Sequence, residues 1–314
     1  MGGVKNAPAN EAENGLQGMI GTMKKTTPRA RRTTGFTLIE IVMVLLIFGI
    51  VVAMAAAITR GVAASQKRSL TTTRMAGVDA ALVQFVQQQR RLPCPGDGTK
   101  ASSDNNAGVE MRAAGACTAN QQNGVVPWRT LALTETDATD GWDRRLTYRL
   151  DPALGLDGGM DISWCDPAGT KVVVPPALCS NACLGTDMTT CTRPVDFLRG
   201  RGLTVRNVAG TAVLMDPQAS PSIIPPTGAA YVLVSHGESG GGAYLNSGTL
   251  AASAVGEGNE EMKNFASLPY TVGVTYYVDD SLQEAPGVNH FDDVMSRPSI
   301  SSVSSKAGVG PRSH

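Results

Sequence analysis

Apolar residues run almost without a break from Phe36 to Thr59, then thin to a helical spacing, then scatter into short alternating stretches. The first stretch, residues 36–59, carries a single charge, Glu40. As a helix rising about 1.5 Å per residue it reaches roughly 36 Å, enough to cross a bilayer. No proline occurs between Phe36 and Arg91, and the stretch is rich in Ala, Gln, Arg and Leu, all good helix formers. Met75, Val78, Leu82 and Phe85 recur at steps of three and four, so one face is apolar, with Arg74, Asp79, Gln84 and Gln88 opposite. Leu92-Pro93-Cys94-Pro95-Gly96 stops the pattern. One helix of about 56 residues, near 84 Å long, is predicted.

Beyond it, residues 97–123 are polar and rich in Gly and Asn, which predicts a loop. Leu146, Tyr148 and Leu150 alternate, predicting a strand with one buried face. Runs at 203–206 and 211–215 flank Asn207-Val208-Ala209-Gly210 and read as a hairpin. Residues 231–235 and 270–278 are rich in β-branched and aromatic side chains, as strands are. From residue 300 to 314 the chain is Ser- and Gly-rich and reads as a disordered tail.

Charge is balanced overall but not along the chain. Lys5, Lys24, Lys25, Arg29, Arg31 and Arg32 face only Glu11 and Glu13 within residues 1–35, leaving a mildly acidic body. The basic side of an apolar span stays cytoplasmic, so the body after Arg60 faces outward. A secretory signal peptide fits less well, because the apolar run exceeds an h-region and no small-x-small cleavage site closes it. No basic patch with interleaved aromatics appears in the body, so nucleic acid is not an expected partner. Cys94, Cys117, Cys165, Cys179, Cys183 and Cys191 all follow the apolar run. An even count on the outward side predicts disulfides, with Cys94–Cys117 closing one loop and the other four paired among themselves. Zinc on Cys179, Cys183 and Cys191 is the weaker reading, since no paired C-x2-C and no nearby His is present.

Glu40 is the odd residue, because a carboxylate within a bilayer needs a partner. It ends the run Gly35-Phe36-Thr37-Leu38-Ile39-Glu40, preceded by Arg31 and Arg32. This run resembles the processing site of type IV prepilins and type II secretion pseudopilins. The resemblance implies cleavage between Gly35 and Phe36 by the prepilin peptidase, with N-methylation of Phe36. It also implies that Thr37, Leu38, Ile39 and Glu40 serve assembly, the Glu40 carboxylate pairing with the freed amine of a neighbouring pilin or pseudopilin subunit. Such a pair neutralises two charges that are costly in an apolar bundle. The 35-residue leader is long for the family, and Met23 is a more typical start. Residues 92–96, 126–131, 141–150 and 232–242 resemble a subgroup of pseudopilin-like proteins, which implies a helix packed on an antiparallel sheet.

Other chemistry is weighed against this reading. Gly237-Glu238-Ser239-Gly240-Gly241 fits G-x-S-x-G, and Asp279, Asp280 and His290 follow it. No helix pattern follows Ser239 and no βαβ units precede it, so a hydrolase elbow is not expected. Some pseudopilins hold calcium in a Gly-rich loop near the C-terminus. Glu238, Asn246, Glu260, Glu261, Asp292 and Asp293 are the hard oxygen donors that such a calcium site would draw on here. His236 reads as a loop hydrogen-bonder, His314 has no ligand partner in the sequence, and Trp128, Trp142 and Trp164 read as core.

The expected architecture is α+β. Residues 1–35 form a cleaved leader, 36–59 the transmembrane and assembly half of the helix, and 60–92 its amphipathic half. Residues 93–299 form a disulfide-containing, β-rich periplasmic domain ahead of the 300–314 tail. The expected function is a structural, minor subunit of a type IV pilus or type II secretion pseudopilus, anchored by a single pass in the inner membrane, without catalysis of its own. The alternative is a membrane-tethered periplasmic binding or hydrolase domain that reuses the anchor.

Overall fold

The structure, a computed structural model, describes residues 35–118, 120–161, 198, 200–217, 228–252, 258–283 and 287–309, with backbone only for 55–60. Residues 1–34 of the expected leader, Cys165, Cys179, Cys183, Cys191, Trp164 and His314 lie outside the described residues. The chain is α+β and divides into two units, Met1–Ala55 and Ala56–His314.

Helix α1 spans Leu38–Gln89. In the first unit its described side chains, Leu38 through Met54, are apolar on every side except at Glu40, and all are exposed. A helix that is apolar all round needs an apolar surrounding. Among the described residues no helix is long and apolar enough to cross a membrane. The end of the span expected at residue 59 lies outside the described side chains.

In the second unit α1 buries Met75, Val78, Leu82 and Val86, with Phe85 partly covered. Arg74 and Asp79 are not on a solvated back face, as the helical spacing suggested. Arg74 donates to the Asp140 carbonyl at 2.7 Å, and Asp79 accepts from Tyr231 Oη at 2.9 Å and Ser296 Oγ at 2.8 Å. Burial raises the Asp79 pKa despite those bonds. Thr71 Oγ accepts from the Gly141 amide at 2.9 Å, and a Cβ on Gly141 would collide with the Lys67 backbone. The helix ends where Arg90 turns left-handed (φ 58°) and its amide returns to the Val86 carbonyl.

Ten short strands follow among the described residues: β1 (Gly96–Asp97), β2 (Arg112–Ala113), β3 (Ala116–Cys117), β4 (Gly124–Val125), β5 (Thr147–Leu150), β6 (Thr204–Arg206), β7 (Val213–Met215), β8 (Tyr231–Ser235), β9 (Tyr276–Val278) and β10 (Val294–Ser296). The main sheet is antiparallel in the order β1-β4-β5-β8-β10. The expected hairpin is present as β6 and β7, but β6 also pairs in parallel with β9.

Alternation along β8 explains the layering. Tyr231 and Leu233 join the helix-side core with Leu82, Leu146, Tyr148 and Leu150. Val232 and Val234 join a second core with Leu203, Val205, Met215, Tyr270 and Tyr277. The sheet is therefore covered on both faces. The expectation of one buried face on β5 is corrected accordingly: all four of its residues are buried. The other face of β5 carries Thr147 and Arg149, and Arg149 donates to the Ala266 and Leu268 carbonyls.

Two further expectations are corrected. Of residues 270–278 only β9 is strand, because Thr271 to Val274 form a turn with Gly273 at φ 74°. The tail is not disordered where it is described: α2 (Ile300–Lys306) is capped by Ser299 and buries Ile300 and Val303. Those two residues are one helical turn apart, which the surrounding serines obscured in the sequence.

Cys94 and Cys117 are disulfide-bonded across a separation of 23 residues, and both sulfurs are buried. Closing a loop of that size stabilises a domain by about 3 kcal/mol. The double variant Cys94→Ser, Cys117→Ser should lose that amount in urea unfolding followed by near-UV circular dichroism.

Candidate functional site

Two places gather functional side chains. The first is the head of α1. Gly35, Phe36 and Thr37 precede the helix in non-helical backbone, all exposed, and the space around the Gly35 α-carbon is open. The Thr37 carbonyl accepts from the Glu40 and Ile41 amides at 3.0 and 3.3 Å, so the helix begins one residue after the Gly35–Phe36 bond could be engaged. A protease needs irregular, accessible backbone, and this bond has both. Glu40 stands in the first turn, where the helix dipole favours a negative charge. Leu38 and Ile39 beside it are 82% and 69% exposed, an apolar surface with no partner among the described residues.

The second is a polar cluster under the loop that follows β8. Glu261, on a short 3-10 turn (Glu261–Asn264), accepts from the Asp292 amide at 3.0 Å and from His290 Nδ1 at 3.0 Å. Asp292 accepts from the Glu238 and Ser239 amides at 2.7 and 2.9 Å and from Ser239 Oγ at 2.9 Å. Next to it, Asp293 accepts from Asn264 Nδ2 at 2.8 Å, and its other oxygen lies 3.6 Å from His236 Nδ1. Burial, then the Asp293 charge and the adjacent Asp292 carboxyl, push Glu261 up to about 7. Burial raises Asp293 as well. Burial opposes a charge on His290, but the Glu261 bond and the surrounding carboxylates outweigh it and raise its pKa.

Each residue of the hydrolase alternative is held by another partner. Ser239 Oγ donates to a carboxylate, and the described histidine nearest in sequence role, His290, is bound to Glu261. Asp279 pairs with Arg297 and Asp280 holds the Val208 amide. The expected gathering of oxygen donors for calcium is also corrected. Asp292 and Asp293 sit together, but the Glu238 carboxylate is exposed, Glu260 accepts from Tyr276 Oη, and Asn246 offers its carbonyl to Ser102 and Arg145. These groups serve different loops, each held by its own partners. His236 is a buried hydrogen-bonder, 2.8 Å from Thr147 Oγ. Trp128 is core, whereas Trp142 is half-buried beneath Lys67.

Sequence reasoning named Glu261 and Asp292 as donors but gave His290 no place beside them. The available signal was His290-Phe291-Asp292: in extended backbone, residues two apart share a side.

The family described as the prokaryotic N-terminal methylation motif matches residues 30–56. That match covers the first of the two places and stops within the apolar stretch. No curated protein and no solved structure matches the chain.

Proposed function

We propose, from the prepilin-type signature of type IV pilins and pseudopilins that this chain carries at residues 30–56, that it is a structural subunit of such an assembly. One observation carries the reading: a methylation motif sits at the head of an apolar helix whose side chains are exposed all round. Prepilin peptidase cuts between Gly35 and Phe36, and the new amine of Phe36 is methylated. The apolar half of α1 then holds the protein in the inner membrane until it moves into a bundle of like helices. The body stays on the periplasmic side, where Cys94 and Cys117 can oxidise.

The subunit is a minor, low-copy one that acts without catalysis. A body this large relative to its helix is hard to repeat at every position of a dense filament. The partner groups of Ser239 support the non-catalytic reading: its hydroxyl is held by the Asp292 carboxylate and the His236 carbonyl, and no imidazole nitrogen bonds it among the described residues.

Intact mass spectrometry of the membrane-extracted protein tests the proposal. The expected mass is that of residues 36–314 with one added methyl group. A chain that keeps Gly35 and the basic leader in cells with active peptidase would overturn it.

A further inference from the structure

We propose that Glu261, His290 and Asp292 form a divalent-cation site of zinc class that fastens the segment before β10 to the loops at 236–240 and 258–264. One ligand atom from each of the three lies within 4.8 Å of the others, and all three residues are buried. A nitrogen with carboxylate oxygens is the donor set of a borderline cation such as zinc, whereas calcium and magnesium select oxygen alone.

Charge supports the assignment. Glu261, Asp292 and Asp293 bring three carboxyl groups into one buried region, at 1%, 3% and 6% exposure. Among the described residues no Lys or Arg ion-pairs with any of them, and only His236 and His290 do. Carboxylates in contact away from water require a proton or a cation between them.

An independent observation comes from the border of the cluster. His236 Nδ1 and Asp293 Oδ1 are buried and have no hydrogen-bond partner, and their 3.6 Å separation is too long for one. Each is nonetheless held from behind: Thr147 Oγ engages His236 Nε2, and Asn264 Nδ2 engages Asp293 Oδ2. Outer atoms fixed and inner atoms vacant is how metal ligands are presented. Asp293 directly follows the ligand Asp292 in the chain, and His236 lies against it. The site does not depend on the N-terminal motif and stands or falls separately from it.

The full-length protein in detergent, stripped with EDTA, is titrated with zinc, calcium or magnesium, and metal content and thermal unfolding are read together. Zinc should bind at one equivalent and raise the melting temperature, with no comparable rise from calcium or magnesium. His290→Gln and Glu261→Gln should each weaken zinc by on the order of 100-fold, while Glu260→Gln should not. Should either variant fail to fold, the wild-type cobalt(II) derivative decides. Visible absorption without a thiolate charge-transfer band supports the site. A thiolate band would assign the metal to the cysteines and overturn it, as would zinc binding that both Gln variants retain, or no zinc binding at all.

Discussion

Glu40→Ala is expected to leave the protein folded and membrane-bound but to cut its incorporation into filaments by on the order of 100-fold or more. Glu40 is the single ionisable group among the described side chains of the apolar half of α1, and nothing in its own chain pairs with it among the described residues. Within a bundle of such helices an isolated carboxylate and an isolated Phe36 amine are each costly. Set against one another they cancel, and only one axial offset between neighbours brings them together. Loss of the carboxylate therefore strands the amine and releases the register at once. Glu40→Gln should fail as well, because an amide cannot neutralise the amine. The measurement is an immunoblot of the sheared filament fraction against the membrane fraction, with Glu238→Ala, an exposed carboxylate in the body, as control. Wild-type incorporation of Glu40→Ala would falsify the register role.

Arg145→Ala should be the most damaging single change in the body, at about 3–5 kcal/mol. The guanidinium is 1% exposed. It donates to Glu135 at 2.9 and 2.7 Å, to the Gly98 and Lys100 carbonyls at 3.0 and 2.6 Å, and to the Asn246 carbonyl at 3.2 Å. It also lies over the Trp128 ring, 4.8 Å from its centroid. Three loops far apart in sequence converge on this one cation at the foot of β5. Truncation leaves a carboxylate and several carbonyls without their donor, and buried unpaired acceptors cost more than their bonds contribute. Thermal unfolding should fall by roughly 10 °C. Arg145→Lys should recover only part, because one ammonium cannot reach across the planar fork. A loss within 2 °C would show that the loops are held by other contacts.

The contrast between these two residues shows what the chain discloses on its own. Glu40 is legible because its signal is local: a charge where none belongs, beside a Gly-Phe junction and behind arginines. The helix is legible for the same reason, since the spacing of Met75, Val78 and Leu82 depends on nothing distant. The Cys94–Cys117 bond also lies within one loop. Arg145 and Arg149 read as the outward face of a half-buried strand, and both are buried because carbonyls from remote loops cover them. The cluster of Glu261, His290 and Asp292 is hidden in part by the same effect, as about 30 residues separate its two contributors. The helix at Ile300 was masked by its own serines: Ser301 and Ser305 are exposed, while Ile300 and Val303 close the core with Ser304 beside them.

The way the body holds α1 has a mechanical consequence. From Lys67 to Val86 the helix is fastened along its length: by the Lys67–Trp142 contact, the Thr71–Gly141 and Arg74–Asp140 bonds, the Asp79 bonds to Tyr231 and Ser296, and the apolar row ending at Val86. A pull along the helix axis loads these fastenings in shear, side by side, so they must yield together rather than peel one after another. A helix drawn lengthwise would carry the body along without shedding it.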